Sequence, residues 1–322
     1  LNYFLIHCNQ LIMLSVILLS YYSGQRIITV YEKLATVLGA AKIDFELIVI
    51  DDGSKDNSYQ IALELEKKYS NVRAYQLSKN YTSHYAIFAG LSVCRGQCAT
   101  PIPDDEQQPY DLLVEMYRLW QQGKKVIIPH RISRNDGFFN DFFSNLYYNI
   151  MNHLTDVQFP KGGADTFFID REVIDVINER IRPINTSCII EVLRLGYDPY
   201  PLPYVRLKGS NHKSRWTFRK KMKLFKDTFI SSSTWPIRII RNLGLFLSLI
   251  AFVIILFYSY IKLFGNTQFW GELLPGWTST IVIMSFFCGM ILFSLGVIAE
   301  YIWLIYEEVK NRPGYLIKKK ND

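Results

Sequence analysis

Phe45-Glu-Leu-Ile-Val-Ile-Asp-Asp-Gly-Ser54 is the stretch that decides the fold. Its apolar, mostly β-branched run is typical of a strand buried on both faces of a parallel sheet. An acidic turn and then a helical pattern follow the strand, and ligands of open α/β sheets bind outside the carboxyl ends of strands. The stretch therefore suggests a nucleotide site as one hypothesis. The motif alone is equally compatible with Asp51 and Asp52 merely capping the next helix.

The same alternation of strand and helix continues along the first two thirds of the chain. Predicted strands are 14–19, 45–50, 72–77, 98–102 and 126–129, and predicted helices are 25–38, 59–69, 84–94, 110–122, 137–154, 173–180 and 189–195. This alternation predicts a doubly wound α/β domain.

The remainder of the chain has a different composition. Residues 217–229 place Phe and Met on one face of a helix and Lys and Arg on much of the rest, which is typical of a helix in a membrane interface. The uncharged runs 243–261 and 278–299 are each long enough to cross a hydrocarbon core of about 30 Å. Basic residues precede the first run and follow the second. The positive-inside rule therefore predicts a two-helix hairpin in the cell (inner) membrane, with the α/β domain and the C-terminus in the cytoplasm.

Charge and cysteine content exclude some other classes of protein. The net charge of +7 is concentrated between Arg215 and Arg241, which favours an anionic membrane surface over nucleic acid. The five cysteines are scattered and lack zinc-site spacing, and no P-loop or dinucleotide fingerprint is present. We expect the native start at Met13 and residues 1–12 to be an extension outside the domain.

A second acidic turn, Pro103-Asp-Asp-Glu-Gln-Gln-Pro109, follows the predicted strand 98–102. Carboxylate and amide oxygens are hard ligands that suit Mg²⁺ or Mn²⁺, and such ions often share substrate phosphates. Because two acidic turns end two strands of one sheet, we expect them to converge on one crevice.

Several motifs together resemble the family-2 glycosyltransferases of GT-A fold. Within that family the chain is similar to the membrane-anchored polyprenyl-phosphate glycosyltransferases, relatives of dolichol-phosphate mannose synthase. The matching motifs are Val49-Ile-Asp-Asp-Gly-Ser-Lys-Asp56, Leu77-Ser-Lys-Asn80, Ala89-Gly-Leu91, Ser214-Arg-Trp-Thr217, Pro275-Gly-Trp-Thr-Ser279 and the tail motif from Glu300 to Pro313. The resemblance covers roughly Met13 to the C-terminus and implies a Rossmann-like, mostly parallel sheet.

The resemblance implies roles for residues on the donor side. The aspartate that contacts the nucleotide base is Asp52, with Asp51 beside it, and Lys79 and Asn80 would line the donor site. The family's D-A-D-L-Q metal motif matches here at Asp105 and Gln107, while Pro103 stands in place of its first acid. Asp104, a further candidate residue of the donor site, could substitute for that acid, the metal could bind with fewer protein ligands, or metal use could be lost.

The acceptor side requires different chemistry. A polyprenyl phosphate has a second pKa of about 6, so its oxygen needs cationic positioning more than deprotonation. Candidate cations are Arg131, Arg206, Lys213 and Arg215. Asp165 matches an acid that is usually proposed as the catalytic base in this family. The arginine that the family has two residues later is replaced here by Phe167. A base or orienting role and a structural capping role both remain open for Asp165.

These features predict the following domains: a glycosyltransferase domain at 13–214, basic amphipathic helices at 215–241, a transmembrane hairpin at 242–306 and a basic cytoplasmic tail at 307–322. The expected activity is inverting transfer of a sugar from a nucleotide diphosphate to a polyprenyl phosphate at the membrane, with self-association of the kind common in this class. Two alternatives are transfer to a hydroxyl of a lipid-linked saccharide and a catalytically weak homologue that serves as a membrane scaffold.

Overall fold

A computed structural model of the protein describes residues 13–131, 164, 166–205, 207, 235–264 and 276–318. These residues belong to two compact units, one formed by residues 1–228 together with 312–322 and the other by residues 229–311. The predicted helices 137–154 and 217–229 lie outside the described residues.

The first unit is built on strands and helices that alternate along the chain. Its elements are β1 (Met13–Ser20), α1 (Arg26–Ala40), β2 (Asp44–Asp51), α2 (Ser58–Lys68), β3 (Val72–Gln76), α3 (Ser83–Val93), β4 (Cys98–Pro103), α4 (Asp111–Gln121), β5 (Val126–Arg131), β6 (Phe168–Asp170), α5 (Arg171–Arg180), α6 (Cys188–Arg194) and β7 (Tyr200–Tyr204). Each strand or helix that was predicted for this unit and falls within the described residues is present, with its bounds displaced by no more than about two residues.

Among the described residues, seven strands form one sheet in the order β3-β2-β1-β4-β6-β5-β7. Neighbouring strands are parallel except for β6, which runs antiparallel to β4 and β5. The carboxyl ends of β1 to β5 and β7 therefore share one edge of the sheet. This confirms the predicted α/β fold with a mostly parallel sheet.

Both faces of the sheet are covered, and the two faces divide the apolar residues of each strand. In β1, Leu14, Val16 and Leu18 pack with α1, α2 and α4, while Ile17 packs with α3, α5 and α6 on the other face. This two-residue alternation is a property of strand geometry. A strand covered on both faces must be apolar at successive positions, which explains the continuous apolar runs in the sequence.

Two strands were not predicted from the sequence. Strand β6 has three residues and is too short to show a period. Strand β7 reads Tyr-Pro-Leu-Pro-Tyr, and proline argues against a central strand. It is tolerated here because β7 lies at the edge of the sheet.

The second unit contains two long helices, α7 (Trp235–Phe264) and α8 (Gly276–Val309). In the part of the chain that the structure describes, one segment, Phe286–Val309, is long and apolar enough to span a bilayer, and its side chains are not buried within the protein.

Candidate active site

The carboxyl edge of the sheet collects the acidic turns that the sequence predicted. Asp51 and Asp52 follow β2, Asp104 and Asp105 follow β4, and β1 lies between those two strands. The loop Ser20–Gly24 leaves β1 at the same edge and separates the two turns. The site is therefore built on three neighbouring parallel strands.

Asp51 is fully buried and closes its own turn. Its carboxylate accepts hydrogen bonds from the Ser54 N–H (3.0 Å), the Ser54 hydroxyl and the Gln76 side-chain amide (2.8 Å). Helix α2 begins at Ser58 with Asn57 at its N-cap and no side-chain cap bond. The alternative that Asp51 and Asp52 cap this helix is thus wrong, because both carboxylates are engaged elsewhere.

Asp52 holds the loop that joins β3 to α3. Its two oxygens accept the N–H groups of Tyr81 (2.7 Å) and Thr82 (2.9 Å). Thr82 has a φ of +82° and a ψ of 162°, a conformation that costs a β-branched residue energy and that these bonds help to maintain. Burial raises the pKa of Asp52 from 3.8 to about 6, opposed by the two backbone hydrogen bonds and reinforced by the charge of Asp51.

The two predicted donor-site motifs are in direct contact. Gly53 has a φ of +70°, and a Cβ at this position would lie 2.5 Å from the carbonyl carbon of Lys79 and 2.9 Å from the N atom of Asn80. Glycine is required because both the backbone conformation and the space exclude a side chain. Lys79 and Asn80 are exposed and follow β3 at this edge, and their role in the donor site stays a prediction.

The β1 loop connects the first acidic turn to the second. The Tyr22 N–H donates to the Ser54 hydroxyl (2.9 Å), and the Ser23 hydroxyl donates to Oδ2 of Asp104 (2.6 Å). The guanidinium of Arg26 also pairs with Oδ2 of Asp104, at 2.6 Å. A chain of hydrogen bonds and short backbone links therefore runs from one turn to the other, so the turns converge on one region as predicted.

The second acidic turn carries half-buried Asp105, Glu106 and Gln107. Glu106 pairs with Lys33 on α1, and Oδ1 of Asp105 accepts the N–H of Gln107 at 3.3 Å. The amide oxygen Oε1 of Gln107 is buried and accepts no hydrogen bond from the described residues. A buried amide oxygen without a hydrogen-bond donor costs about 1–3 kcal/mol, so this oxygen is available to bind a cation or a donor group of a ligand.

The donor atoms of this turn suit a hard cation. Within the described ranges, no group of three or more His, Cys, Asp or Glu side chains could hold a metal ion. The oxygens of Asp105 and Gln107 nevertheless fit Mg²⁺ or Mn²⁺, since such ions in phosphate sites commonly take one or two protein ligands and complete their shell from phosphate and water. Asp104 is already paired with Arg26, so its Oδ2 is not a free substitute for the acid missing at Pro103.

The predicted acceptor residues are only partly described. Arg131 ends β5 at the carboxyl edge, opposite Tyr204 of β7. Arg206, Lys213, Arg215 and Asp165 lie outside the described residues. Residues next to two of them are described: the Leu207 N–H donates to the Gln107 carbonyl (3.0 Å) in the second acidic turn, and the Thr166 hydroxyl donates to the Pro101 carbonyl (2.7 Å) within β4.

Sequence reasoning missed several residues that organise the site. Ser23 and Arg26 bind Asp104, and Gln76 binds Asp51. Ser23 lies directly after the carboxyl end of β1, and that position is the signal that could have identified it, since ligands of open α/β sheets bind outside such strand ends. No local pattern identifies Gln76 or Arg26, because their partners are distant in the sequence.

Comparison with known proteins identifies similar sequences. The model of glycosyl transferase family 2 matches residues 15–177. The uncharacterized glycosyltransferase YkcC of Bacillus subtilis is 31% identical over 290 residues, which cover 90% of this chain and 88% of that protein. The SfII prophage-derived bactoprenol glucosyl transferase of Shigella flexneri is 29% identical over 280 residues, covering 86% and 88% of the two chains.

A solved structure is also similar to this chain. Glucosyl-3-phosphoglycerate synthase from Mycobacterium tuberculosis, in complex with Mn²⁺, uridine diphosphate and phosphoglyceric acid, is 18% identical with a TM-score of 0.46. The similarity covers 68% of this chain and 76% of that one.

Proposed function

The chain belongs to glycosyl transferase family 2 and is a glycosyltransferase, and we propose that it transfers a sugar from a nucleotide diphosphate to a polyprenyl phosphate. The observation that carries this proposal is the convergence of two acidic turns on the β1 loop at the carboxyl edge of the sheet. The bactoprenol glucosyl transferases among its relatives support a polyprenyl acceptor.

The donor nucleotide would bind along the turn Asp51–Ser54 and the loop Leu77–Thr82. Backbone contact between Gly53 and Lys79 brings these segments together, and Asp51 and Asp52 hold them rigid through neutral donors. Lys79 is exposed beside them and can approach a diphosphate. Asn80 and Asp104 complete this proposed site.

A divalent cation would be held by the carboxylate of Asp105 and the amide oxygen of Gln107. When bound, Mg²⁺ or Mn²⁺ supplies positive charge that stabilises the leaving nucleotide diphosphate. The described residues that support this assignment are the unpaired Gln107 oxygen and the half-buried Asp105 beside it.

The acceptor phosphate would attack the anomeric carbon of the sugar from the face opposite the leaving group. A new carbon–oxygen bond forms to the lipid phosphate, and the bond to the diphosphate breaks with its electron pair leaving on the diphosphate oxygen. The configuration inverts, so an α-linked donor gives a β-linked lipid phosphosugar. Because the phosphate oxygen is already mostly ionised at neutral pH, cations rather than a strong base are required.

We assign the acceptor cations as Arg131, Arg206, Lys213 and Arg215. The hydrogen bond between Leu207 and the Gln107 carbonyl supports this, since it ties the segment that contains Arg206 to the metal turn. Asp165 would orient the acceptor, and the contact of its neighbour Thr166 with β4 is consistent with that role.

Membrane attachment would come from residues 242–306 as a two-helix hairpin, with the α/β unit and the tail in the cytoplasm. Phe286–Val309 supports one crossing. The chain leaves the α/β unit near residue 228 and returns to it at residue 312. A chain that departs from and returns to one unit crosses a membrane an even number of times, which supports a second crossing by α7. Self-association in the membrane remains a prediction.

The direct test uses the full-length protein in membranes with undecaprenyl phosphate and a panel of radiolabelled UDP-glucose, UDP-N-acetylglucosamine and GDP-mannose. Label in an acid-labile, single-sugar lipid is expected. Label only on longer glycolipids would favour transfer to a saccharide hydroxyl, and no transfer together with no nucleotide binding would favour a scaffold.

Asp105→Ala tests the metal assignment. Removing one of two protein ligands should reduce Mn²⁺-dependent transfer by at least about 100-fold, because the ion contributes several kcal/mol of charge stabilisation. Mn²⁺ binding in the presence of UDP or GDP should weaken in parallel. Asp198→Ala removes the same charge from an exposed position and is the matched control. Unchanged transfer by Asp105→Ala would refute the assignment.

A further inference from the structure

The C-terminal tail Arg312–Lys318 belongs to the α/β unit rather than to the helices that precede it. The Ser78 N–H donates to the Leu316 carbonyl (2.9 Å), and the Lys318 N–H donates to the Gln76 carbonyl (2.8 Å). Leu77 and Ile317 form an antiparallel bridge. The tail thus pairs with the chain directly after β3 through one isolated β-bridge and two backbone hydrogen bonds, at the point where β3 becomes the loop that carries Lys79.

Three residues of the tail, Gly314, Tyr315 and Ile317, are half-buried against the α/β unit. Tyr315 and Ile317 pack against the core on the α3 face, and the Tyr315 hydroxyl donates to the Phe88 carbonyl at 3.3 Å. A Cβ at Gly314 would lie 2.0 Å from the carbonyl oxygen of Pro183, so the two backbones are in close contact. This position is occupied by residues that follow α8 and lie more than 200 residues from β3 in sequence.

One side chain of the tail is linked to the acidic turn through a single intermediate. The Lys318 ammonium donates to Oε1 of Gln76 (2.8 Å), and Nε2 of the same amide donates to Oδ2 of Asp51 (2.8 Å). Asp51 in turn accepts the Ser54 N–H and hydroxyl. The lysine fixes which end of the Gln76 amide faces Asp51, because only the oxygen can accept from an ammonium group.

We propose that the tail is a positioning element of the donor site, and that Lys318 acts through Gln76 to hold Asp51 and its turn in the shape that binds the nucleotide sugar. This rests on the proposed function. The donor site then depends on residues that follow α8. The last residues of the α/β unit therefore come after the helical unit in the sequence. The alternative is that the tail is purely structural and only pairs with backbone groups at the open edge of β3.

Lys318→Ala in the full-length protein separates the two roles. A positioning role predicts a donor KM raised about threefold to tenfold, the range expected for one lost hydrogen bond, with kcat and acceptor KM little changed. Lys318→Arg retains a donor and should restore most of the effect. Lys67→Ala removes an exposed lysine of α2 and is the control. A donor KM unchanged in Lys318→Ala, or a change in melting temperature alone, would overturn the proposal.

Hydrogen exchange gives a readout that needs no activity. Amides of the turn 52–57 should exchange faster in Lys318→Ala and in Gly314→Ala, which displaces the tail backbone, but not in Lys67→Ala or in Gly296→Ala, where a Cβ meets open space. If exchange responds while the wild type binds neither UDP nor GDP and transfers no sugar, the positioning of the turn stands and the proposed function fails. If the wild type transfers sugar but the turn does not respond, this inference fails and the function stands.

Discussion

Strand β2 has buried carboxylates near both of its ends, and they differ in whether a cationic side chain pairs with them. Near the amino end, Glu46 accepts from the Arg73 guanidinium (2.5 Å), the Ser15 hydroxyl (2.5 Å) and the Arg95 N–H (2.6 Å). At the carboxyl end, Asp51 and Asp52 accept only from neutral groups, and no lysine or arginine pairs with either among the described residues.

The difference separates a structural site from a functional one. At the amino edge a cation is built in, so the charge of Glu46 is compensated in the folded protein at all times. At the carboxyl edge Asp104 and Glu106 are paired with Arg26 and Lys33, but Asp51 and Asp52 have no cationic partner among the described residues. Burial without such a partner raises the pKa of Asp52. Carboxylates held by fixed neutral donors and short of positive charge are suited to a ligand that supplies a cation or hydrogen-bond donors.

The largest effect on stability should come from removing the carboxylate of Glu46 at the amino edge. Glu46→Ala removes the carboxylate that pairs with half-buried Arg73 and accepts from the Ser15 hydroxyl and the Arg95 N–H, and should lower the free energy of unfolding by about 3–5 kcal/mol. Sugar transfer per folded molecule should change little, because Glu46 is at the opposite edge from the acidic turns. Denaturation monitored alongside activity checks both statements, with exposed Glu64→Ala as the control. A stable Glu46→Ala protein would remove the contrast between the edges.

Because Asp52 is buried without a cationic partner, unlike Glu46, the stability of the protein should depend on the ionisation of Asp52. Folding raises the pKa of this carboxyl from 3.8 to about 6, so its contribution to stability is fully present below pH 4 and is lost as the pH rises through 6. The change is at most about 3 kcal/mol. Wild type should therefore lose stability relative to Asp52→Asn between about pH 4 and 6.

The measurement is denaturation of both proteins across that pH range. Asp44→Asn removes the same charge from the exposed start of the same strand and serves as the control. A difference between wild type and Asp52→Asn that did not vary with pH would mean that Asp52 is not the desolvated acid described here.

Gly53→Ala gives a smaller but directional effect. The positive φ and the approach of Lys79 should together cost about 2 kcal/mol and weaken nucleotide binding, because the two donor-site segments are forced apart. Gly39→Ala, on helix α1 with open space around it, should stabilise the protein by up to about 1 kcal/mol. Thermal unfolding of the two variants should therefore move in opposite directions, and the same sign for both would contradict the close contact.

Much of the fold was predictable because buried parallel strands must be apolar at consecutive positions. The run before Asp51 and the helical pattern after it identified β2 and α2 to within about one residue. Strand β7 was missed because its prolines oppose the strand pattern, and their tolerance depends on where the strand lies in the sheet. The outcome for Asp51 and Asp52 also required the structure, since a turn acid and a helix cap look alike in sequence.

The sequence by itself determined that the chain alternates strands and helices, that acids end β2 and β4, and that apolar helices follow. These features depend on neighbours within a few residues, and hydrophobic periodicity records them. Only the tertiary structure decided that Arg26 would take Asp104, that Arg73 would take Glu46, and that Lys318 would reach Asp51 through Gln76. Such pairings join residues distant in the chain, and no local pattern encodes which polar groups the folded backbone brings within hydrogen-bond distance.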